Sequence, residues 1–386
     1  MQNFRGTSIN KNRDGWVEIN LSNLEHNVLK IKEYLENNCP DENNPPDIFA
    51  VIKADGYGHG SIMCAPTLIA CGVKEFGVAS IDEGIELREN KITNPILVLG
   101  ASPIWAFENA IKNDVAISIF NDEHLDVAQQ LYKRLNKKLK VHIKVDTGMN
   151  RIGINSNEAK NYLKKVLEAD YIDLKGIFTH FADVENEKLF FEQLEKFKSV
   201  VEPYKKELKY KGAKIHCLNS PGIFSYPEYS YDMVRMGITM WGLTPYSGFN
   251  GKVSDLLPVM GLKARITNIH TLKKGEGISY GHAYKAKEDI KVVTIPIGYA
   301  DGIARNLSGK VTAYLNGKII RQIGRITMDQ IMFDASNVDC SVGDVMVLLG
   351  EENTFDNIDS WANKLNTINY ELTCRLKMRL PRIYVR

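Results

Sequence analysis

Lys53 is the residue whose type and position best suit covalent chemistry in this chain. It closes the apolar run 48–53 and is followed by the glycine-rich segment 54–60, which also contains Tyr57. Burial of an ammonium group without a partner lowers its pKa, and the neutral amine that results is a nucleophile. A lysine at a strand end can instead extend its amine into water. The glycine-rich segment and its tyrosine favour the nucleophile.

Further charged residues stand where packing gives no reason for them. Arg235 lies inside the otherwise apolar run 233–241, and a buried guanidinium group requires a partner. Lys144 and Arg151 stand on either side of a predicted turn, and His180 is the penultimate residue of another apolar run. A histidine at a strand end is most often a structural hydrogen-bonding group. These side chains can act together only if the fold brings their strand ends to one place.

Eight short apolar runs predict the strands whose ends would bring these side chains together. Continuous apolar runs are typical of strands buried on both faces, and the segments between them, such as 83–91 and 187–209, predict helices. Eight strand–helix units predict a (β/α)₈ barrel, in which functional residues follow the C-terminal ends of the strands, as Lys53 does. The runs are 48–53, 75–80, 95–100, 115–120, 140–146, 171–181, 213–219 and 233–241.

The pattern changes after residue 248. Shorter β-rich runs follow, and the dipeptide Asn316-Gly317 is a strong hairpin signal. We therefore predict two domains, a barrel over 22–248 and a mainly antiparallel β domain over 249–386. The strand 14–21 has no place in a barrel that already has eight strands, so we assign it to the β domain. The later runs are 261–270, 292–297, 310–314, 331–334 and 344–349.

Composition excludes several classes of protein. Forty-nine Lys and Arg residues nearly balance 47 Asp and Glu residues, which argues against a nucleic-acid binder, and 44% hydrophobic residues argue against disorder. Six cysteines in 386 residues are too few for a disulfide scaffold, and none has metal-ligand spacing, so we expect a reducing compartment and no metal. The first residues form no apolar leader, and no stretch is long and apolar enough to span a membrane. We expect a cytoplasmic chain, or the cytosolic part of a membrane-anchored protein.

The segment around Lys53, AVIKADGYGHG, closely resembles the cofactor-lysine signature of the alanine racemases, which are pyridoxal 5′-phosphate (PLP) enzymes of fold type III. The family has a PLP-binding barrel followed by a β domain, the same order of domains as predicted above. The resemblance continues in order through KVDTGMNRIG, GIFTHF, HCLNS, MVRMGI, GISYGHAY, IPIGYADG, GRITMDQ and INYEL.

The resemblance implies a two-base racemase. Lys53 would hold PLP as a Schiff base and serve as one acid/base group, and Tyr280 of a neighbouring subunit would be the other. Removing the α-proton from one face and returning it to the other requires a group on each side, with PLP as the electron sink. A homodimer with shared active sites follows, with D-amino acids supplied for peptidoglycan precursors.

The resemblance also assigns the cofactor contacts. Arg235 would face the pyridine nitrogen of PLP and remain protonated, and His180 would hydrogen-bond this arginine. Gly237 and Ile238 would contribute backbone N–H groups to the phosphate. The other cofactor contacts are Tyr57, Asn219, Ser220 and Tyr370.

Substrate contacts follow in the same way. Arg151 would face the substrate carboxylate and a cofactor oxygen, oriented by a carbamylated Lys144. Met328 would contact the carboxylate through its backbone N–H, with Asp329 beside it. Tyr299 resembles a tyrosine that gates the entrance.

Two departures from the family pattern concern the substrate. Thr327 stands where cysteine is usual, and residues 373–380 read TCRLKMRL, which is more basic than usual. This tail resembles the serine racemases linked to glycopeptide resistance, whose racemase domain follows a membrane-embedded part. That branch has an asparagine where this chain has Tyr370. Alanine is the expected substrate, and serine remains open as a second one because apolar pockets reject an added hydroxyl weakly.

Two other functions compete with a racemase. A non-catalytic PLP-binding regulatory protein of barrel type would keep Lys53 but would have no use for the β domain or for Tyr280, Met328 and Asp329. A PLP decarboxylase of the same fold type would use an acidic partner for the pyridine nitrogen, and Arg235 argues against it.

Overall fold

The computed structural model describes residues 14–40, 45–246, 249, 255–350 and 356–386. Residues 1–13, on which the expectation of no apolar leader rests, lie outside this description, as does residue 248, which ends the predicted barrel domain. None of the helices in the described ranges combines the length and the apolar character that crossing a membrane requires.

The described chain begins with a strand that leads directly into a long helix. These elements are β1 (Gly15–Asn20) and α1 (Leu21–Asn38). Asn20 caps the helix, because its Oδ1 accepts from the backbone N–H of Asn23 at 3.0 Å. Leu24, Val28 and Ile31 recur at helical spacing and are fully buried.

Eight parallel strands then form an almost closed barrel, and a ninth, very short strand pairs with one of them. They are β2 (Asp47–Val51), β3 (Glu75–Val78), β4 (Ile96–Ala101), β5 (Ala116–Ile119), β6 (Leu139–Asp146), β7 (Ile154–Asn155), β8 (Ile172–Phe178), β9 (Lys214–His216) and β10 (Met233–Met236). The two-residue β7 pairs with β6 alone. Each of the eight predicted runs overlaps one barrel strand.

The barrel closes between its first and last strands. β10 pairs in parallel with β2. On its other side, the N–H groups of Asp232 and Arg235 donate to the carbonyl oxygens of Ile215 and Leu218 at 3.1 and 3.0 Å, which joins the last strand to the segment of β9. The C-terminal ends of all eight strands therefore surround one opening.

Helices separate the barrel strands. They are α2 (Lys53–Tyr57), α3 (Ser61–Ala70), α4 (Ile81–Glu89), α5 (Phe107–Lys112), α6 (Asp122–Leu135), α7 (Ser156–Glu168), α8 (Glu187–Val201), α9 (Lys205–Lys211) and α10 (Ser220–Ser225). The side chains of Ser80, Asn121 and Asn186 each accept the backbone N–H three residues on, which fixes where α4, α6 and α8 begin. The prediction of helix in 83–91 and 187–209 is confirmed.

The second half of the chain folds into a mainly antiparallel sheet. Its strands and those of a short separate hairpin are β11 (Met260–Arg265), β12 (Asn268–Leu272), β13 (Gly277–Ile278), β14 (Tyr284–Lys285), β15 (Ile290–Ile295), β16 (Thr312–Leu315), β17 (Lys318–Ile323), β18 (Ile331–Asp334), β19 (Val345–Leu349) and β20 (Arg382–Val385). The strand order is β12-β15-β18-β17-β16-β19-β11-β1-β20, and β1–β20 is the parallel pair. Two helices, α11 (Ile358–Leu365) and α12 (Asn369–Arg375), follow β19.

The predicted barrel followed by an antiparallel β domain is confirmed, and details of the second half differ. The predicted run 261–270 is two strands, because the N–H groups of Ile266 and Thr267 donate to Asp344 and Thr294 rather than continuing one ladder. Asn316-Gly317 does form a hairpin turn, between β16 and β17. The short hairpin β13–β14 and the final strand β20 were not predicted.

A small apolar cluster separate from the main core lies beneath the hairpin β13–β14. Ile278 of this hairpin is buried in it, and Tyr284 packs against its edge. The hairpin is therefore anchored at its base, while the connection between its strands projects outward. The members of the cluster are Leu272, Ile278, Ala286, Ile290, Val292, Ile323 and Met332.

Candidate active site

A left-handed turn directly follows Lys53 at the C-terminal end of β2. Ala54, Asp55, Gly56 and Tyr57 have φ values of +53°, +52°, +62° and +56°. This conformation costs about 1–2 kcal/mol for each residue that has a Cβ, and such strain persists only where the surroundings fix it. Strain of this kind is concentrated at functional sites, and here it directly follows the candidate nucleophile.

Hydrogen bonds from three directions hold this turn. Glu83 accepts the N–H of Ala54 at 2.8 Å. Asp55 Oδ1 accepts the N–H of Ser61 at 2.8 Å. Arg382 Nε donates to the carbonyl oxygen of Gly58 at 3.2 Å. The turn is thus a fixed backbone from which the side chains of the lysine and the tyrosine extend.

The pKa of Lys53 is lowered. Loss of solvation is the main cause, and the charge of Arg151 lowers the pKa further, whereas Glu83 and Cys374 oppose the shift. A lowered pKa raises the fraction of neutral amine near pH 7. The nucleophilic lysine is therefore the interpretation that this environment supports.

A small polar cradle lies where β10 ends, beside β2. Ser220 Oγ accepts the N–H of Gly237 at 3.0 Å. A Cβ placed on Gly237 would lie 3.2 Å from the hydroxyl oxygen of Tyr57 and 3.5 Å from Ser220 Oγ, so both hydroxyls converge on the space that glycine leaves free. The ring of Tyr370 lies 5.9 Å from that of Tyr57, between centroids.

Two more residues predicted to hold cofactor lie beside this cradle. Asn219 caps α10, because its Oδ1 accepts the N–H of Gly222 at 3.3 Å. Ile238 directly follows Gly237 and is fully buried. The predicted phosphate contacts are thus brought together around one glycine.

Arg235 is fixed by four hydrogen bonds inside the barrel. It is 3% exposed, and Nη2 donates to the carbonyl oxygens of Thr179 and Cys217 at 2.7 and 2.8 Å. Nη1 donates to the carbonyl oxygen of His216 at 3.2 Å and to its Nδ1 at 3.0 Å. The expectation that His180 bonds this arginine is wrong, because His216 on neighbouring β9 takes that place.

Arg235 also fixes the tautomers of two buried histidines. A guanidinium group can only donate, so Nδ1 of His216 accepts and Nε2 carries the proton. Nε2 then donates to Nδ1 of His142 at 3.0 Å. Burial lowers the pKa of Arg235 to about 10 and that of His142 to about 3, so the arginine stays charged and the histidine neutral near pH 7.

Lys144 is buried without a carboxylate partner at hydrogen-bond distance among the described residues. It is 4% exposed, and its Nζ lies 4.4 Å from the centroid of the Phe178 ring, to which Cζ of Arg235 is 5.4 Å away. Burial, followed by the charges of Arg235 and Arg151, lowers the pKa of Lys144 far below its ordinary value.

His180 lies among the basic groups of the barrel opening. Loss of solvation lowers its pKa well below the ordinary range. The basic groups that lower its pKa further are Lys144, Arg235, Arg151 and Lys53. The structure therefore brings five of the predicted site residues into one electropositive region. Such a region favours an anionic ligand.

The remaining predicted residues lie on the β domain. Tyr280, between β13 and β14, is 72% exposed, and Met328 and Tyr299 are exposed as well. The N–H of Tyr299 donates to the carbonyl oxygen of Thr327 at 3.0 Å. Arg379 Nη2 donates to Asp329 at 2.6 Å.

Thr327, one of the two departures from the family pattern, has its hydroxyl engaged locally. Its Oγ1 donates to the carbonyl oxygen of Gln330 at 2.9 Å and accepts the N–H of Gln330 at 3.1 Å. The threonine thus stabilises the turn that carries Met328 and Asp329.

Glu83 and His216 contact the site and were not predicted from the sequence. His216 lies in the quoted segment HCLNS, so its signal was present and the role was given to His180 instead. Glu83 stands three residues after Ser80, a spacing typical of a helix capping box, which gives no hint of a contact with the Lys53 turn.

Comparisons with known proteins agree with this geometry. Residues 19–245 match the N-terminal domain of alanine racemase, and residues 259–384 match its C-terminal domain. Alanine racemase 1 of Oceanobacillus iheyensis is 38% identical over 379 residues, which cover 97% of this chain and 98% of that protein.

Solved structures show the same likeness. An alanine racemase of Clostridium difficile 630 has a TM-score of 0.88 and 36% identity, covering 98% of this chain and 97% of its own. A histidine racemase from Leuconostoc mesenteroides subsp. sake has a TM-score of 0.88 and 28% identity, covering 97% of this chain and 99% of its own. The chain therefore belongs to the alanine racemase family of isomerases.

Proposed function

We propose that this protein interconverts L- and D-alanine with PLP as its cofactor, and that it also accepts serine. The observation that carries the proposal is the arrangement at the mouth of the barrel. There, Lys53, whose pKa is lowered, follows β2. The buried Arg235 lies on the neighbouring strand β10, and the hydroxyl cradle surrounds Gly237 at the end of that strand. A PLP site requires a nucleophile, donors to the phosphate and a fixed cation, and this arrangement supplies all three.

The residues fit this cofactor in kind and in position. Lys53 would bond the aldehyde carbon, Arg235 would face the pyridine nitrogen, and His180 would lie beside the ring. A side chain larger than hydrogen at position 237 would fill the cradle, which supports a phosphate there. The phosphate would be held by Tyr57, Asn219, Ser220, Gly237, Ile238 and Tyr370.

Each residue then has a defined task. When bound, PLP supplies an electron-withdrawing ring that stabilises negative charge at the substrate α-carbon. Arg235 donates a hydrogen bond without giving up its proton, which leaves a nitrogen facing it unprotonated. Lys53 moves a proton on one face of the substrate. Arg151 and the N–H of Met328 would hold the carboxylate.

The resemblance gives the second face to Tyr280 of a neighbouring subunit, and this residue is 72% exposed on the hairpin of its own chain. We infer that the protein is a homodimer in which a group of β-domain residues of one subunit completes the site of the other. These residues are Tyr280, Tyr299, Met328 and Asp329.

Their positions on one chain support such an interface. Hydrogen bonds join the loops that carry them. Ser279 Oγ donates to the carbonyl oxygen of Arg325 at 2.9 Å, and the N–H of Ala300 donates to the carbonyl oxygen of Met328 at 3.0 Å. The large side chains of Tyr280, Tyr299 and Met328 on these loops are all exposed. Exposed apolar groups that share one surface are typical of a protein–protein contact.

The assay that tests this function is chiral analysis of product. Purified protein with PLP should convert L-alanine or D-alanine to the same equal mixture of both enantiomers. A decarboxylase would instead release an amine and carbon dioxide, and a regulatory PLP protein would leave both substrates unchanged. Either of those outcomes would refute the proposed reaction.

Tyr370 is the residue that we propose limits the substrate side chain. Its ring packs against Tyr57 at the cradle, 5.9 Å between centroids. Replacing it by asparagine removes that volume and supplies an amide partner for a hydroxyl. We expect Tyr370→Asn to raise the ratio of serine to alanine kcat/KM by about 10-fold. Tyr370→Phe, which keeps the ring, should leave the ratio near that of the wild type.

Racemisation of the two amino acids, measured under identical conditions for each variant, gives this ratio. An unchanged ratio in Tyr370→Asn would reject a role for the ring in substrate choice. A shift of equal size in Tyr370→Phe would assign the effect to the phenolic hydroxyl rather than to volume.

Lys144 is proposed to carry a carbamate. Its amine is buried beside Arg235 and Arg151, which disfavours an ammonium group there and favours a neutral amine that can add carbon dioxide. The carbamic acid formed would lose its proton to water, and the resulting anion would offset the two guanidinium charges and orient Arg151. In ¹³C-labelled bicarbonate, the wild type should show a carbamate carbon resonance that Lys144→Met lacks. A spectrum identical for the two proteins would contradict the modification.

The cellular setting is also a proposal. All six cysteines are free, which supports a reducing, cytoplasmic compartment. D-alanine made there would serve peptidoglycan precursors, as the family resemblance implies.

A further inference from the structure

Glu83 makes an unusual contact for a residue in a helix capping box. It is the third residue of α4, and its own N–H donates to Oγ of the capping residue Ser80 at 3.3 Å. In a capping box, the glutamate normally returns to the N–H of the capping residue. Here, its Oε2 accepts the N–H of Ala79 at 2.7 Å, and its Oε1 accepts the N–H of Ala54 at 2.8 Å.

The carboxylate therefore ties together the ends of two barrel strands. Ala79 directly follows β3, whereas Ala54 follows Lys53 and is the first residue of the left-handed turn. Hydrogen bonds to an ionised acceptor are about twice as strong as neutral ones. Glu83 thus supplies a charged anchor at the peptide unit that joins Lys53 to Ala54.

Glu83 is also part of the electrostatic environment of the lysine. Lys53 interacts electrostatically with Glu83 from α4, Arg151 after β6, His180 after β8 and Cys374 from α12. Arg151 lowers the pKa of Lys53, and Glu83 raises it. Among these four residues, Glu83 is the carboxylate that offsets the arginine.

We propose that Glu83 is a positioning residue for Lys53: its carboxylate fixes the left-handed turn that orients the lysine, and its charge balances that of Arg151. This inference rests on the proposed role of Lys53 in holding PLP. It assigns to Glu83 no contact with substrate or cofactor.

The decisive variant is Glu83→Gln, which keeps the size of the side chain. The amide oxygen can accept from one of the two N–H groups, but the amide NH₂ then faces the other, and the charge is lost. Two readouts are taken on the full chain after removal of cofactor: the Kd for PLP, and the pH dependence with which a reductive methylation reagent labels Lys53.

We expect Glu83→Gln to raise the Kd for PLP by about 10- to 100-fold, because a charged hydrogen bond is lost from the turn. The apparent pKa of Lys53 should fall below that of the wild type. Glu86→Gln removes the same charge from the same helix without touching the Ala54 N–H, and it should leave the Kd within about twofold of the wild-type value.

Ser80→Ala separates positioning from helix capping. It removes the side-chain cap of α4 and retains the carboxylate that accepts the Ala54 N–H, so we expect a lower Tm with the Kd and the Lys53 pKa unchanged. If Glu83→Gln does not fold, Glu83→Asp keeps the charge with a shorter reach, and it should weaken PLP binding while moving the Lys53 pKa less than the amide would.

Equal losses of Tm in Glu83→Gln and Ser80→Ala, with unchanged Kd and unchanged Lys53 pKa, would overturn the proposal and leave Glu83 as a helix cap alone. Failure of the proposed function would look different. The wild type itself would then bind no PLP at Lys53, while the labelling experiment would still report whether Glu83 acts on that lysine.

Discussion

Lys53→Ala is expected to lower kcat for alanine racemisation at least about 1000-fold in both directions, since the variant loses both the covalent attachment and one proton-transfer group. The environment of this lysine supports the size of the effect, because burial and Arg151 lower its pKa and so prepare the amine for both tasks. Chiral analysis of product, starting from each enantiomer, measures the loss.

A second measurement locates the attachment. After borohydride reduction of the wild type with PLP, the modified peptide should contain Lys53, and Lys53→Ala should yield no such peptide. Lys74→Ala removes an exposed lysine at the opposite end of the neighbouring strand and serves as the control, with wild-type activity expected. Full turnover in Lys53→Ala would disprove the assignment of this residue.

The barrel was predictable because its strands are buried on both faces and so leave continuous apolar runs. The β domain was harder to predict, since its strands are short and several alternate between buried and partly buried residues. β20 follows a basic tail, and none of its four residues is fully buried. Its place in the sheet comes from parallel pairing with β1, a contact between segments far apart in the chain.

The site residues that could be predicted from the sequence are those that act from their own strand. Lys53 and Arg235 stood out because each places a charge in an apolar run. The partner of Arg235 was assigned wrongly because two strand-end histidines were available, and the choice between them depends on which strand neighbours β10. Glu83 was missed because its contact exists only after Ala54 adopts a left-handed conformation.

The role of Tyr280 cannot be seen in a single chain, because its proposed task requires a second chain. On its own chain it is an exposed aromatic residue held out by a hairpin whose base is buried. We expect Tyr280→Phe to lower kcat by about 100-fold or more and to slow α-proton exchange of L-alanine more than that of D-alanine. Exchange of the α-proton with deuterium, followed separately for each enantiomer, gives the two rates.

Equal losses of exchange for the two enantiomers would argue against a two-base reaction. Tyr210→Phe is the matched control, because it removes the hydroxyl of another highly exposed tyrosine, which lies on α9 of the barrel domain. This variant should behave as the wild type in both exchange reactions.

Sharing of the site between subunits is tested by combining the two impaired variants. If Lys53→Ala and Tyr280→Phe chains carry different affinity tags, the mixed dimer can be purified through both tags. A twofold arrangement gives the mixed dimer one site with both defects and one site with neither, because each subunit contributes its lysine to one site and its tyrosine to the other. The mixed dimer should therefore recover about half of the wild-type activity. If each chain instead completed its own site, both sites of the mixed dimer would keep one defect, and its activity would not exceed the mean of the two parent variants.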